Sequence, residues 1–168
     1  MSSPVTIRAA EPEDVAAIQR VARASYEAAY LEIIGQEELE AAMDAWYNRE
    51  KVRDAIVNPE TVYVVAEADE VVGYASGGDA SEVATGELYS IYVHPDWWGK
   101  GVGTQLLSTI EAALREQGLS KLRLEVFAEN DVGRAFYEAR GFERVGEKET
   151  DLFTGQVVGI VVYATALD

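Results

Sequence analysis

Three glycines at alternate positions, Gly99, Gly101 and Gly103, lie between an apolar segment and a helical pattern, and Lys100 separates the first two. Glycine at this density costs conformational entropy, so either the turn itself or a closely approaching ligand must require it. The first backbone N–H groups of a helix have no partner within that helix, and the helix dipole adds positive potential there. The turn therefore suits an anion such as a diphosphate, held by the N–H groups of residues 99–104 with Lys100 at the rim.

Two familiar phosphate-binding patterns do not fit this turn. The Walker sequence requires Ser or Thr after Gly-Lys, whereas Gly99 and Lys100 are followed by Gly101. The dinucleotide fingerprint requires a third glycine where Thr104 stands. A tight strand-to-helix connection that holds no ligand stays open as the alternative.

Hydrophobic periodicity predicts the elements that must position this turn. Strands are predicted at 5–10, at 61–78 (two strands joined by a tight turn near 68–70), at 86–95, at 120–128, at 142–150 and at 155–167. Helices are predicted at 11–30, at 35–57 as one or two helices, at 101–117 and at 130–141. Asn130 is expected to cap the last helix, and Gly118 and Gly141 to end the last two. The order indicates an α+β fold with a mostly antiparallel sheet and one βαβ unit around the glycine turn.

Length and composition limit the possible classes of function. The 168 residues contain no repeat or linker, so we predict a single domain over residues 1–168. Disulfide and thiolate chemistry are excluded because the chain has no cysteine. No signal peptide or membrane span is expected, and we predict a soluble, cytoplasmic protein with no membrane partner. A nucleic-acid partner would need a basic patch, and no Cys/His/carboxylate cluster has metal-ligand spacing, so neither is predicted.

The segment LYSIYVHPDWWGKGVGTQLL, residues 88–107, resembles the acetyl-CoA-binding segment of the GNAT superfamily of N-acetyltransferases. The family pattern there is Gln/Arg-x-x-Gly-x-Gly/Ala, and Gly101 and Gly103 match its two small positions. Trp98 stands at the Gln/Arg position, so the side chain departs from the pattern while the main-chain donors are retained. Trp97 and Trp98 either cap the cofactor channel or pack the turn.

A second segment resembles the same family. The pattern Asn-x-x-Gly/Ala…Tyr-Glu-x-x-Gly-Phe is matched by Asn130, Tyr137, Gly141 and Phe142. The resemblance covers residues 60–165 well and the earlier helices more loosely. It implies a GNAT-like fold, with a mixed, mostly antiparallel central sheet of about seven strands flanked by about four helices.

The resemblance implies that acetyl-CoA is the co-substrate and that no metal is needed. Its pantetheine arm would pair with the backbone of Ile91, Tyr92 and Val93, where the strand splays from its neighbour, and Asn130 would reach the pantetheine from the next helix. The residues expected around the pyrophosphate are Gly99, Lys100, Gly101, Val102, Gly103 and Thr104.

Three residues are candidates for catalysis. Tyr137 follows Asn130 by about two helical turns, so both point the same way; in the family this tyrosine protonates the leaving thiolate, and the alternative is a core aromatic. The reaction also needs a neutral amine, which requires a base or a water chain. Glu87 and Glu125 lie on strands at positions where some relatives carry a base. Each is otherwise a solvated strand acid, and which of them serves is left open.

Three functions are compatible with these residues. The first is transfer of an acetyl group to a primary amine by direct attack, which Tyr137, Glu87 and Glu125 favour. The second is a non-catalytic acyl-CoA-binding or sensor module on the same fold. The third, a nucleotide-binding regulator, is disfavoured by the failed Walker pattern. The acceptor, a small-molecule or peptide amine, would be recognised by the N-terminal helices and by loops near 30–36 and 77–86; a homodimer stays open.

The charge balance makes a prediction of its own. Thirty acidic and fourteen basic residues give a formal net charge of −16. Adaptation of an acidic, halophilic protein to high salt explains acids spread along the whole chain, because salt screens their repulsion. We therefore expect the melting temperature to rise as KCl is raised towards molar concentrations. A flat or falling melting temperature would instead favour a surface that attracts cationic partners.

Overall fold

One mixed sheet organises residues 4–167, the part of the chain that the computed structural model describes. Its strands are β1 (Thr6–Ala9), β2 (Thr61–Glu67), β3 (Val71–Glu82), β4 (Thr85–Val93), β5 (Lys121–Phe127), β6 (Glu143–Asp151) and β7 (Val157–Ala166). The α-helices are α1 (Val15–Trp46), α2 (Arg49–Val57), α3 (Val102–Glu116) and α4 (Asp131–Ala139). Short 3-10 turns lie at Pro12–Asp14 and Pro95–Trp97.

The strand order is β1-β2-β3-β4-β5-β7-β6. Neighbours are antiparallel except for β4 and β5, which are parallel because α3 connects them in a βαβ unit. Strand β7 lies between β5 and β6, so the hairpin of β6 and β7 forms the edge of the sheet next to β5. The predicted α+β fold, with its seven-stranded, mostly antiparallel sheet, is confirmed.

The helices before β2 differ from the predicted boundaries. The first helix continues past residue 30 as far as Gly35, whose φ of 84° and ψ of 166° are not helical and kink α1, and the second part of α1 then runs to Trp46, so the predicted start of a further helix at Gly35 is confirmed. Asn48 then starts α2 by accepting a hydrogen bond from the Lys51 N–H at 2.9 Å. Within residues 4–167, no helix combines the length and the apolar character needed to cross a bilayer.

Two buried clusters cover the two faces of the sheet. Alternate residues of each strand point to opposite faces, so Val64 of β2 packs towards α3 whereas Val65 packs towards α1 and α2. On the first face, Leu106 and Ile110 of α3 are fully buried. Each fully buried side chain of this kind contributes roughly 1.5–3 kcal/mol relative to exposure, which fixes α3 directly beside β4.

Strands β4 and β5 separate soon after they begin to pair. Their ladder joins only Thr85–Glu87 to Lys121–Arg123. On the other edge of β4, Ser90 pairs with Ser76 and Leu88 with Gly77, which leaves Tyr89 as an extra residue in a β-bulge. A bulge bends its strand and increases its twist, so the carboxyl half of β4 diverges from β5 and opens a slot in the sheet.

Candidate functional site

The slot is part of a cavity of about 460 Å³ that is bounded by β4, β5, α1, α3 and α4. Nearly all the residues predicted for the cofactor contribute to its walls: Ile91, Tyr92, Val93, Gly99, Gly101, Val102, Gly103, Thr104 and Asn130. Lys100 does not, because its ammonium nitrogen lies over the Trp97 ring, 5.1 Å from the centroid. The structure therefore brings the strand, the glycine turn and the following helix around one space, with the expected lysine turned aside.

Glycine is required in this turn for two different structural reasons. Gly99 and Gly101 have φ values of 76° and 83°, in the left-handed region that side chains with a Cβ rarely adopt. Gly103 is helical, and a Cβ there would lie 3.1 Å from the Phe136 ring of α4. The first two glycines thus allow the chain to enter α3, whereas Gly103 allows α3 and α4 to approach each other, a reason that the sequence did not reveal.

Trp98 holds the turn against the end of β4. Its indole Nε1–H donates to the Val93 carbonyl at 2.7 Å. Because β5 pairs only with Thr85–Glu87, the Val93 carbonyl has no partner on β5, and the Trp98 indole supplies one hydrogen bond to it. His94 performs a similar task, because its Nδ1 accepts from the Asp96 N–H at 3.1 Å. Both side chains therefore stabilise the connection into α3.

Helix α4 places Asn130 and Tyr137 on the wall of the same cavity. The Asn130 Oδ1 accepts from the Gly133 N–H at 2.9 Å, so Asn130 caps the helix as predicted. The Tyr137 ring packs between Phe136 and Phe142, with centroids 5.3 and 5.6 Å away. Burial, with a smaller effect of Tyr30, raises the pKa of Tyr137 well above its usual value, so this phenol is protonated at neutral pH.

A second cavity of about 790 Å³ lies beside α1, α2 and the end of β6. It meets the first at the slot, and the two share Tyr30, Tyr89, Ser90, Tyr92, Glu125 and Val126. Of the two loops expected to recognise the acceptor, the segment 30–36 contributes to this cavity through Tyr30 and Ile34. No residue of 77–86 lines this cavity. Residues 150–153 line it instead, because the turn between the end of β6 and the start of β7 lies over α1.

Tyrosine side chains form much of the boundary between the two cavities. The Tyr92 hydroxyl lies 3.2 Å from that of Tyr30 and 3.4 Å from that of Tyr26. Burial raises the pKa of each of these three phenols, so they are neutral hydrogen-bonding groups. Sequence analysis did not select Tyr26 and Tyr30, although their separation by four residues on α1 is a detectable signal.

The buried carboxylate of Glu38 holds one wall of the second cavity. It accepts hydrogen bonds from the Phe153 N–H at 2.9 Å, and from the Thr154 N–H and hydroxyl at 2.8 Å each. Gln156 adds a bond from its Nε2 to the Ile34 carbonyl at 3.1 Å. Because a buried carboxylate is costly without such partners, these bonds fix the β6–β7 turn against α1.

The two candidate bases have different positions. Glu125 lines both cavities, and its Oε2 lies 2.9 Å from Lys148 Nζ and 3.0 Å from Arg123 Nη2. Burial alone would raise the pKa of Glu125, but the hydrogen bonds from Lys148 and Arg123 outweigh it and hold the pKa below its usual range. Glu87 lines neither cavity, and its Oε1 lies 2.5 Å from Arg123 Nη1. Only Glu125 reaches the slot, and Glu87 is linked to it through Arg123.

Charged groups elsewhere in residues 4–167 do not form a metal centre. In the described part of the chain, no group of three or more His, Cys, Asp or Glu side chains is placed to hold a metal ion. The polar groups around the slot are phenols, the Ser90 hydroxyl, an amide, a carboxylate and backbone groups, a set suited to proton transfer and to hydrogen bonding of an extended ligand.

Similar proteins have related activities. Spermidine N(1)-acetyltransferase of Thermoplasma acidophilum is 30% identical over 144 residues, which cover 83% of this chain and 88% of that protein. The structure of PaiA N-acetyltransferase from the same organism, in complex with coenzyme A, superposes with a TM-score of 0.81 at 28% identity, covering 96% of this chain and 98% of that one. The structure of YncA from Salmonella typhimurium, with its cofactor acetyl-CoA, has a TM-score of 0.70 at 26% identity, covering 99% and 95%.

The sequence profile of the Acetyltransferase (GNAT) family matches residues 17–142. This range includes the glycine turn, the slot and the helix that carries Asn130 and Tyr137. The chain therefore belongs to the GNAT family of acetyltransferases.

Proposed function

We propose that this protein transfers the acetyl group of acetyl-CoA to a primary amine of an aliphatic diamine or polyamine, by direct attack of the amine on the thioester. The meeting of two cavities at the slot carries this proposal, because it lets two reactants approach the same point from opposite sides. A module that only bound or sensed acyl-CoA would not need the second cavity.

The residues around the first cavity fit acetyl-CoA, which supplies an activated acyl group when bound. The unpaired edge of Ile91–Val93 offers backbone groups to an extended arm, as a neighbouring strand would. The glycine turn offers the free N–H groups at the start of α3 to a pyrophosphate. Structures of relatives bound to coenzyme A or acetyl-CoA support the same assignment.

The lining of the second cavity favours a cationic, partly apolar acceptor. Its charged residues are Glu38, Glu125, Asp151 and Lys51, three acids and one base. Its aromatic faces attract ammonium groups and also contact methylene chains. The net charge of −16 further concentrates cations near the surface. The 30% identical spermidine N(1)-acetyltransferase supports the same class of acceptor.

Glu125 and Tyr137 have separate roles in the proposed reaction. An alkylamine is mostly protonated at neutral pH and must lose a proton before it can attack. Glu125 remains ionised, attracts the ammonium group and orients it towards the slot. Because its lowered pKa makes it a weak proton acceptor, the ammonium group loses its proton to solvent water before the attack. Tyr137 is protonated and supplies a proton to the departing sulfur, and its phenolate then regains the proton that the attacking nitrogen loses as the amide forms.

The acceptor class can be tested directly by the release of CoA thiol. We expect turnover of acetyl-CoA with spermidine and with a linear aliphatic diamine. We expect much less with a neutral-side-chain peptide that offers only its N-terminal amine, because it lacks the second cation and the methylene chain. Turnover with the peptide alone would contradict the diamine assignment, and no turnover with any amine would favour a binding module.

Tyr137→Phe should keep the packing of the ring but remove the transferable proton. A general acid contributes typically on the order of 10²–10⁴-fold. We therefore expect kcat to fall by about that factor while the KM for acetyl-CoA changes little, as measured in steady-state kinetics.

The matched control for this variant is Tyr74→Phe. Tyr74 lines neither cavity, and its buried hydroxyl has no hydrogen-bond partner among residues 4–167. The control should keep full activity and unchanged or greater thermal stability, since an unsatisfied buried hydroxyl is removed. Full activity in Tyr137→Phe would return Tyr137 to a purely structural role.

Glu125→Gln and Glu87→Gln distinguish the two glutamates. A hydrogen bond to a charged group contributes about 1.5–3 kcal/mol, so kcat/KM for the amine should fall roughly 10- to 100-fold in Glu125→Gln at neutral pH. The deficit should narrow towards pH 10, where the amine is increasingly neutral and needs the carboxylate less. Glu87→Gln should stay within about twofold of the parent because Glu87 does not line the slot. Equal losses in both variants, or a deficit that does not change with pH, would contradict the assignment to Glu125.

A further inference from the structure

The first cavity, which we propose binds acetyl-CoA, is lined by unexpectedly little positive charge for a site that would bind phosphates. Among residues 4–167, the only charged side chains that line it are Glu125 and Arg140. Lys100 is placed over Trp97, and the family's Gln/Arg position is occupied by Trp98. A protein with a net charge of −16 repels a polyphosphate at long range, so a local cation matters more here than in a neutral protein.

Arg140 is held next to the glycine turn by several contacts. Its Nε and Nη2 donate to the Thr104 hydroxyl at 3.0 and 2.6 Å, and its Nη1 donates to the Phe136 carbonyl at 2.8 Å. Its guanidinium carbon also lies 3.7 Å from the centroid of the Phe136 ring. These contacts place the guanidinium beside Thr104, which belongs to the first turn of α3.

The side chain retains the capacity to bind a further group. A guanidinium has more N–H donors than these three bonds use, and Arg140 is exposed to solvent at the cavity wall. Arginine forms planar, charge-assisted hydrogen bonds with phosphate oxygens. Holding the guanidinium on Phe136 and Thr104 before binding also lowers the entropy lost when a phosphate arrives.

We propose that Arg140 is a phosphate-binding residue of this site and pairs with the pyrophosphate of CoA at the glycine turn. It supplies the positive charge that Trp98 and the displaced Lys100 do not provide. This inference rests on the proposed acetyl-CoA binding and adds a specific residue to it. The competing role is structural, in which Arg140 only joins α4 to α3 through Thr104.

The test compares dissociation constants for CoA and for 3′-dephospho-CoA, measured by calorimetry on the full chain and on three variants. Arg140→Gln should weaken both ligands by about the same factor, roughly 10- to 100-fold. The affinity of Arg140→Gln for CoA should fall less steeply with rising KCl than the affinity of the parent does, because one charge contact is lost. Arg140→Lys should recover part of the affinity because it keeps the charge. Arg144→Gln, which removes an exposed arginine paired with Glu147 outside both cavities, should bind like the parent.

The outcomes separate this inference from the proposed function. If the parent does not bind CoA, the proposed function fails. If the parent binds and Arg140→Gln is within twofold of it, only the role of Arg140 is wrong. A loss for CoA but not for 3′-dephospho-CoA would contradict the pyrophosphate pairing. Equal losses in Arg140→Gln and Arg140→Lys, with melting temperatures of the free proteins lowered equally, would show the structural role instead.

Discussion

The separation of β4 from β5 after Glu87 is the constraint on which the rest of the site depends. A backbone edge inside a fold must find hydrogen-bond partners, because unpaired N–H and carbonyl groups are costly when buried. Here the Trp98 indole takes up the Val93 carbonyl, and an extended ligand can occupy the remainder of Ile91–Val93. The two cavities meet at the same separation, so one irregularity in the ladder creates both the binding edge and the meeting point.

The ion pairs around Glu125 keep its carboxylate charged but make it a weaker base. Burial by itself would raise the pKa of a carboxylate at the slot. Arg123 and Lys148 reverse that effect and keep Glu125 ionised. An ionised carboxylate can attract an ammonium group over a wide pH range, but it is a poor acceptor of the ammonium proton, which would pass to water instead. Glu87 contributes by holding the other side of Arg123.

Local patterns predicted much of this structure, whereas long-range contacts were not predictable. Strand alternation and the Asn130 cap depend on neighbouring residues, and both were predicted from the sequence. The choice between Glu87 and Glu125 depends on where two strands part, which no local pattern encodes. The wall built by Glu38 joins residues more than a hundred positions apart, and the packing of Gly103 on Phe136 joins two helices. Gly35, where the second helix was predicted to begin, does kink α1, so this break also follows from the local sequence.

Acidic side chains and phosphate-binding groups lie in different parts of the two cavities. The second cavity carries Glu38, Asp151 and one base, Lys51, and Glu125 lines both cavities, whereas Arg140 and the N–H groups at the start of α3 lie at the glycine turn of the first cavity. Backbone N–H groups bind phosphate without adding net charge, so they function in an acidic chain that has few lysines. At about 1 M salt the screening length falls to about 3 Å, which removes long-range repulsion but leaves contacts at hydrogen-bond distance. An acidic surface and a polyphosphate cofactor are therefore compatible, because recognition depends on contacts shorter than the screening length.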